Sequence, residues 1–310
     1  MTKFAFVFPG QGSQAVGMLN VFADNEAVRQ TLAEASDALQ LDMGKLIADG
    51  PKEALDLTTN TQPVMLTAAV ATYRAWLAAG GAAPAMVAGH SLGEYSALVA
   101  AGVIEFKDAL PLVRFRAQAM QEAVPVGVGA MAVILGLSDD DTRAACAEAA
   151  QGEVVEPVNF NTPEQIVIAG HVGAVERACA AAKAKGAKRA MGLPVSAPFH
   201  SSLLKPASDR LRDYLAGVHF SAPHIALVNN VDVAVVSDVE GIKDALVRQA
   251  AAPVRWVETV QRMAADGVTH LIECGPGKVL SGMTKRIHRE LIGDAIFDPA
   301  SLDKVLELLK

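Results

Sequence analysis

Gly89-His90-Ser91-Leu92-Gly93-Glu94 carries the strongest structural signal in the chain. A short apolar run, residues 85–88, leads into it, and a helix-compatible segment, residues 94–101, leads out. The order is strand, sharp turn, helix, with glycine on both sides of a serine. Small residues permit a strained turn that lifts the Ser91 hydroxyl out of a sheet, and the backbone N–H of Leu92 at the helix start is left to face an oxyanion. The competing reading is a buried serine in an ordinary glycine-containing turn; the strand-turn-helix context favours the nucleophile.

Working outward, Phe4-Ala5-Phe6-Val7-Phe8 is wholly apolar, as expected of a strand buried on both faces of a parallel sheet. It ends in Pro9-Gly10-Gln11-Gly12-Ser13-Gln14, whose glycines with Gly17 do not fit the dinucleotide-binding spacing. At the carboxyl edge of a parallel sheet such a loop would lie beside the Ser91 turn and offer Gln11 and its backbone amide. Val28, Leu32, Ala35 and Leu39 mark an amphipathic helix. Thr61-Gln62-Pro63 reads as the start of a second helix whose body, residues 64–79, is apolar almost all round and therefore interior.

Residues 108–121 read as a helix with Ala109, Leu112, Val113 and Met120 on its apolar face. At 100° per residue Arg116 falls in the middle of that face and Arg114 points the other way. A guanidinium there needs an anion, because an unpaired buried charge is strongly penalised. Two anions are open: a core Asp or Glu in a structural ion pair, or a substrate carboxylate gripped through two parallel hydrogen bonds.

Val124-Pro125-Val126-Gly127-Val128-Gly129 reads as a hinge, and the pattern changes beyond it. Strands at 130–135, 154–160, 165–169 and 189–195, with helices at 139–150 (capped by Ser138) and 172–185, give the βαββαβ order of a ferredoxin-like unit. The expected architecture is α/β: an α/β-hydrolase-like parallel-sheet core from residues 1–123 and 197–310, with a ferredoxin-like domain, 124–196, inserted. The chain returns through Ala197-Pro198-Phe199-His200 just before a helix. His200 is thus placed where two domains meet, a common site for a cleft. A lone histidine is also compatible with a surface or structural role. The last third alternates strand and helix again and carries the turn Glu273-Cys274-Gly275-Pro276-Gly277.

The 310 residues are 51% hydrophobic and 20% charged, enough for a large core, and the net charge of −7 argues against a general nucleic-acid or membrane-surface binder. Cys146, Cys179 and Cys274 are scattered and not in a metal-type spacing, so reduced thiols and a cytoplasmic protein are expected. The first apolar run is too short for a signal peptide, and no segment reaches the length of a membrane-spanning helix. Two basic sets, Lys183, Lys185, Lys188 and Arg189 and then Lys278, Lys285, Arg286 and Arg289, are either solvated helix faces or a rim that steers an acidic partner.

Taken in order, Gly10-Gln11-Gly12-Ser13-Gln14, Gly89-His90-Ser91-Leu92-Gly93-Glu94, Arg116, Ala197-Pro198-Phe199-His200 and Glu273-Cys274-Gly275-Pro276-Gly277 resemble the malonyl-coenzyme A:acyl carrier protein transacylases over nearly the whole chain. The resemblance implies an acyltransferase that moves malonyl from coenzyme A to the phosphopantetheine thiol of acyl carrier protein for fatty acid synthesis. It implies Ser91 as nucleophile, His200 as general base and then acid, and the N–H groups of Gln11 and Leu92 as oxyanion hole. Arg116 would hold the malonyl carboxylate, and a main-chain carbonyl near Gln249 would orient His200. Asn161 resembles a position on the cleft wall. Phe199 stands where many bacterial members have a small polar residue, and a ring there would crowd a 2-methyl group, favouring malonyl over methylmalonyl. No metal or cofactor is implied. The implied partners are malonyl-coenzyme A and an acidic acyl carrier protein, with Lys188, Arg189, Lys285 and Arg286 on the rim, and a monomer is expected. The alternatives are an acyltransferase for a polyketide carrier, a serine thioesterase or hydrolase, which gains nothing from a buried Arg116, and a non-catalytic carrier-binding module.

Overall fold

A computed structural model describes residues 2–195 and 197–310. Ser196, the expected far boundary of the inserted domain, lies outside the described residues. A five-stranded sheet, parallel at every pairing, has β1 (Phe4–Phe8) at its centre. On one side lie β2 (Met86–Gly89) and, at the edge, β7 (Ala226–Leu227); on the other lie β8 (His270–Cys274) and β9 (Ile292–Ile296). The period of two in β1 sorts its side chains between two layers. Phe4, Phe6 and Phe8 pack with the helices Glu26–Leu39, Thr58–Ala78 and Phe106–Glu122, while Ala5 and Val7 pack with Trp256, Met263 and Leu280. Burial on both faces is why this strand has no polar residue.

The second sheet is antiparallel, in the order β4 (Val155–Thr162), β5 (Gln165–His171), β3 (Gly129–Leu135), β6 (Arg189–Gly192). With the helices Asp139–Ala150 and Val172–Ala184 on one face, this is the ferredoxin-like order. Ser138 caps the first of those helices through the Asp141 N–H, 3.1 Å. Strand β3 alternates in its turn: Ala132 and Ile134 face those helices, and Met131 and Val133 face Met120, Phe199 and Leu204. The second face of the small sheet therefore covers the end of the Arg116 helix and the His200 loop. Strand β4 is also tied to the large sheet's side, Phe160 N–H donating to Val254 O at 3.0 Å and Val254 N–H to Val158 O at 2.8 Å.

Three details depart from the sequence reading. The interior helix begins at Thr58, so Pro63 lies inside it rather than in its first turn. Burial of nearly every side chain from Thr61 to Tyr73 outweighs the one ladder bond that proline cannot make. The largely apolar run at 225–229 suggests a strand of five residues, but β7 is only two residues long, and β9 with the helix Pro299–Leu308 completes the far edge, which periodicity did not mark.

Candidate active site

The sequence places the serine turn where parallel strands end. Between β2 and the helix Gly93–Ala100, Ser91 adopts a left-handed backbone, φ 52°. For a residue other than glycine that costs on the order of 1–2 kcal/mol, tolerated only where the surroundings hold it. Both flanking glycines are required by contact: a Cβ on Gly89 would fall 1.8 Å from the Gly93 carbonyl carbon, and one on Gly93 would fall 2.0 Å from Phe8 O. The turn is tied to β1 by His90 N–H donating to Phe8 O, 3.0 Å. Asn230 clamps it from the side, its Oδ1 accepting from Ser91 N–H at 2.8 Å and its Nδ2 donating to Gly89 O at 2.7 Å.

His200 reaches the serine from the loop that returns from the small sheet. Its backbone is also left-handed, φ 65°. Nδ1 lies 2.9 Å from the carbonyl of Gln249 and Nε2 lies 2.6 Å from Ser91 Oγ. A carbonyl can only accept, so the proton resides on Nδ1, and Nε2 accepts from the serine hydroxyl. Burial, and next the charge of Arg116, lower the imidazole to about 3, so it stands neutral.

Arg116 is 2% exposed and arrives from the helix Phe106–Glu122. Nη1 donates to Gln62 Oε1 at 2.8 Å, while Nη2 donates to Gln249 Oε1 at 2.9 Å and to Ser91 Oγ at 3.2 Å. The guanidinium sits 5.3 Å from the ring centroid of Tyr95, and its Nε has no hydrogen-bond partner. Two neutral amides, a hydroxyl and an aromatic face hold the cation. Among the described residues no ion pair to a carboxylate includes it. Of the two anions open from the sequence, the core Asp or Glu is not in contact.

These groups line a cavity of about 530 Å³ between the two sheets. Its wall holds Gln11 and Leu92 beside Ser91, with Phe199, Met120 and Met131 on the apolar side. Asn161, expected on that wall, has its Oδ1 accepting from His90 Nε2 at 2.8 Å, and Asn159 lines the cavity. His90 also borders the cavity while packing near Trp256. In a regular strand residues two apart share a face; the register shift between Phe160 and Thr162 breaks that period at Asn161. Lys52, paired with Asp56, is at the cavity wall, whereas Lys188, Arg189, Lys285 and Arg286 do not line it. Lys188 pairs with Glu164 at 3.3 Å and Arg286 Nη1 reaches Gln165 Oε1 at 3.4 Å, which brings both basic sets to the turn between β4 and β5. Arg189 and Lys285 are exposed. No cluster of His, Cys, Asp or Glu among the described residues could hold a metal ion, and no helix among them is long and apolar enough to cross a membrane.

Sequence reasoning gave no role to Gln62, Asn230 or Glu94, nor to the side chain of Gln249. Glu94 and Gln62 stand within stretches singled out for other reasons; Asn230 carries no local signal.

The acyl transferase domain model matches residues 5–296. A malonyl CoA-acyl carrier protein transacylase of Escherichia coli (strain K12) is 58% identical over 309 residues, covering 99% of this chain and all of that one. The crystal structure of an acyl-carrier-protein S-malonyltransferase from Burkholderia pseudomallei 1710b superposes with a TM-score of 0.98 at 73% identity, over 99% of this chain and all of that one. A malonyl-transacylase solved in complex with its type II PKS acyl-carrier protein also scores 0.98, at 54% identity, over 99% of this chain and all of that one. With the family model spanning nearly the whole chain and relatives of this identity aligned end to end, the chain belongs to the acyl transferase family, among the malonyl CoA-acyl carrier protein transacylases.

Proposed function

We propose that this acyl transferase moves a malonyl group from malonyl-coenzyme A to the phosphopantetheine thiol of an acyl carrier protein, supplying fatty acid synthesis through a malonyl ester on Ser91. The observation that carries the reading is Arg116, a buried cation with no carboxylate partner and one nitrogen 3.2 Å from Ser91 Oγ. An acyl group that ends in a carboxylate supplies the missing anion and accepts two parallel N–H···O bonds from the guanidinium. An ordinary thioesterase or a carrier-binding module has no use for such a cation at a serine.

Ser91 Oγ attacks the thioester carbonyl as its proton passes to His200 Nε2, and the N–H groups of Gln11 and Leu92 hold the oxyanion. Losing one such donor typically costs about 100- to 1000-fold in rate. On collapse the C–S bond breaks, the departing sulfur takes the proton from Nε2, and the ester remains. The carrier thiol then gives its proton to Nε2 and attacks the ester carbonyl. The bond to Ser91 Oγ breaks, and Oγ recovers the proton. Both half-reactions use one site, so the kinetics are ping-pong. The carbonyl of Gln249, 2.9 Å from Nδ1, takes the place an acid has in a triad and stabilises the transient imidazolium. Arg116 holds the acyl carboxylate between the two steps. These groups fill every role without a metal or organic cofactor. Phe199 on the cavity wall sets the preference for an unbranched acyl group.

The exposed cations Lys188, Arg189, Lys285 and Arg286 form the docking rim for an acidic carrier. The site is complete within one chain, which fits a monomer, and three unpaired cysteines fit the cytoplasm. The relative solved with a type II PKS carrier favours one second reading, the same transfer to a polyketide carrier. The test is a quenched incubation with labelled malonyl-coenzyme A. Label on the Ser91 peptide, absent in Ser91→Ala, supports the reading. Label recovered as free malonate at the rate coenzyme A is released makes the protein a hydrolase.

A further inference from the structure

Glu94 closes the serine motif, is 2% exposed, and makes no direct ion pair among the described residues. Its Oε2 accepts from the backbone N–H of Asn230 at 3.0 Å and from Gln249 Nε2 at 2.9 Å. Each of those residues then reaches the reacting groups by its own route. Asn230 holds the strained turn at Ser91 N–H and Gly89 O. Gln249 touches all three reacting side chains' supports: Nε2 donates to Ser91 O at 2.9 Å, Oε1 accepts from Arg116, and the backbone carbonyl accepts from His200.

A primary amide is nearly symmetric in shape, so its orientation is set by its partners. If Gln249 turned over, its NH₂ would face the Arg116 guanidinium, donor against donor. Glu94 Oε2 accepts from two donors and so takes the NH₂ end of the amide. We propose that Glu94 is a positioning residue for the acyl transfer: by fixing which way the Gln249 side-chain amide faces, it keeps Oε1 on Arg116 and Nε2 on the Ser91 carbonyl. It acts on Arg116 through an amide and not by direct pairing. The guanidinium therefore keeps its fork for the substrate, which a direct Glu–Arg salt bridge would occupy. Burial of the carboxyl, partly offset by the bond from Gln249, pushes its pKa to about 7, a cost consistent with a group placed for function.

The inference rests on Ser91 being the acylated residue, and the test is read with whichever acyl thioester loads Ser91 of the wild type, so failure of the malonyl reading leaves it standing. Glu94→Gln keeps the shape and one acceptor oxygen while losing the acceptor-only character. Its kcat/KM for Ser91 acylation is measured alone and in a Gln249→Ala background, with Tm as the control for folding. The expected result is a loss of about tenfold or more in the wild-type background and less than about threefold where no amide remains to be oriented. Glu94→Ala repeats the cycle with both acceptors removed, and Glu94→Asp is expected to recover part of the lost rate. Equal losses in the two backgrounds, or a loss that follows Tm alone, would overturn the assignment.

Discussion

Arg116→Ala separates a substrate-binding arginine from a structural one. In the wild type two N–H groups of the buried guanidinium are available to an acyl carboxylate. Charge-assisted hydrogen bonds contribute about 1.5–3 kcal/mol each, so the pair accounts for about 3–6 kcal/mol, or roughly 100- to 10,000-fold in kcat/KM. An acetyl group lacks the carboxylate and forgoes that contribution. The alanine variant is therefore expected to lose about two to four orders of magnitude with malonyl-coenzyme A and less than about tenfold with acetyl-coenzyme A. Its folding stability should change little, because two effects oppose each other. A buried cation with no directly paired carboxylate is removed, which is favourable, and the amide oxygens of Gln62 and Gln249 are left unpaired, which is not. Rapid-quench acylation followed by intact-protein mass spectrometry reads both substrates on the same enzyme. Arg116→Lys, which keeps the charge and loses the fork, should fall between the two. Equal losses with malonyl and acetyl would refute the reasoning and make Arg116 a prop for Ser91 and Gln249.

Three further outcomes follow from the same geometry. His200 titrates at about 3 in the folded chain against 6.5 in the unfolded one, so as pH falls below 6.5 only the unfolded state takes up its proton and folding stability is lost. Between pH 8 and pH 5 the wild type should lose about 2 kcal/mol more than His200→Gln by chemical denaturation, and parallel curves would contradict the buried neutral imidazole. Phe199→Ser should improve methylmalonyl relative to malonyl loading by about tenfold, since one methyl in an apolar pocket is worth about 1–3 kcal/mol; an unchanged ratio removes Phe199 from specificity. Lys285→Glu with Arg286→Glu should raise KM for the carrier protein, more so at low salt, and leave KM for malonyl-coenzyme A unchanged; an unchanged carrier KM moves the docking surface elsewhere.

Much of the scaffold is written locally. Phe4 to Phe8 declares a doubly buried strand by having no polar residue, and the glycines at 89 and 93 declare a turn with no room for a Cβ. Arg116 was legible because helical period alone puts it on the apolar face. What was not legible is the polar network beneath the turn. Asn230 and Gln249 lie 139 and 158 residues from the serine they hold, on a short edge strand's loop and at a helix end, where neither period nor composition distinguishes them from surface residues. Glu94 reads as a charged residue in the first helical turn, the usual place for a solvated carboxylate, and only the packed structure shows it buried. Asn159 lines the cavity and Asn161 does not because the register shift between Phe160 and Thr162 breaks the period of two in β4, an irregularity that the sequence does not show.

Ser91, on this mechanism, stores an acyl group between two thiols and protects it from water. That role is tested most directly by isolating the malonyl-enzyme free of coenzyme A and dividing it between buffer and buffer with holo acyl carrier protein. The expected result is an ester that persists in buffer and passes rapidly to the carrier's phosphopantetheine thiol, regenerating free Ser91. Release of malonate at the same rate with and without the carrier would contradict it.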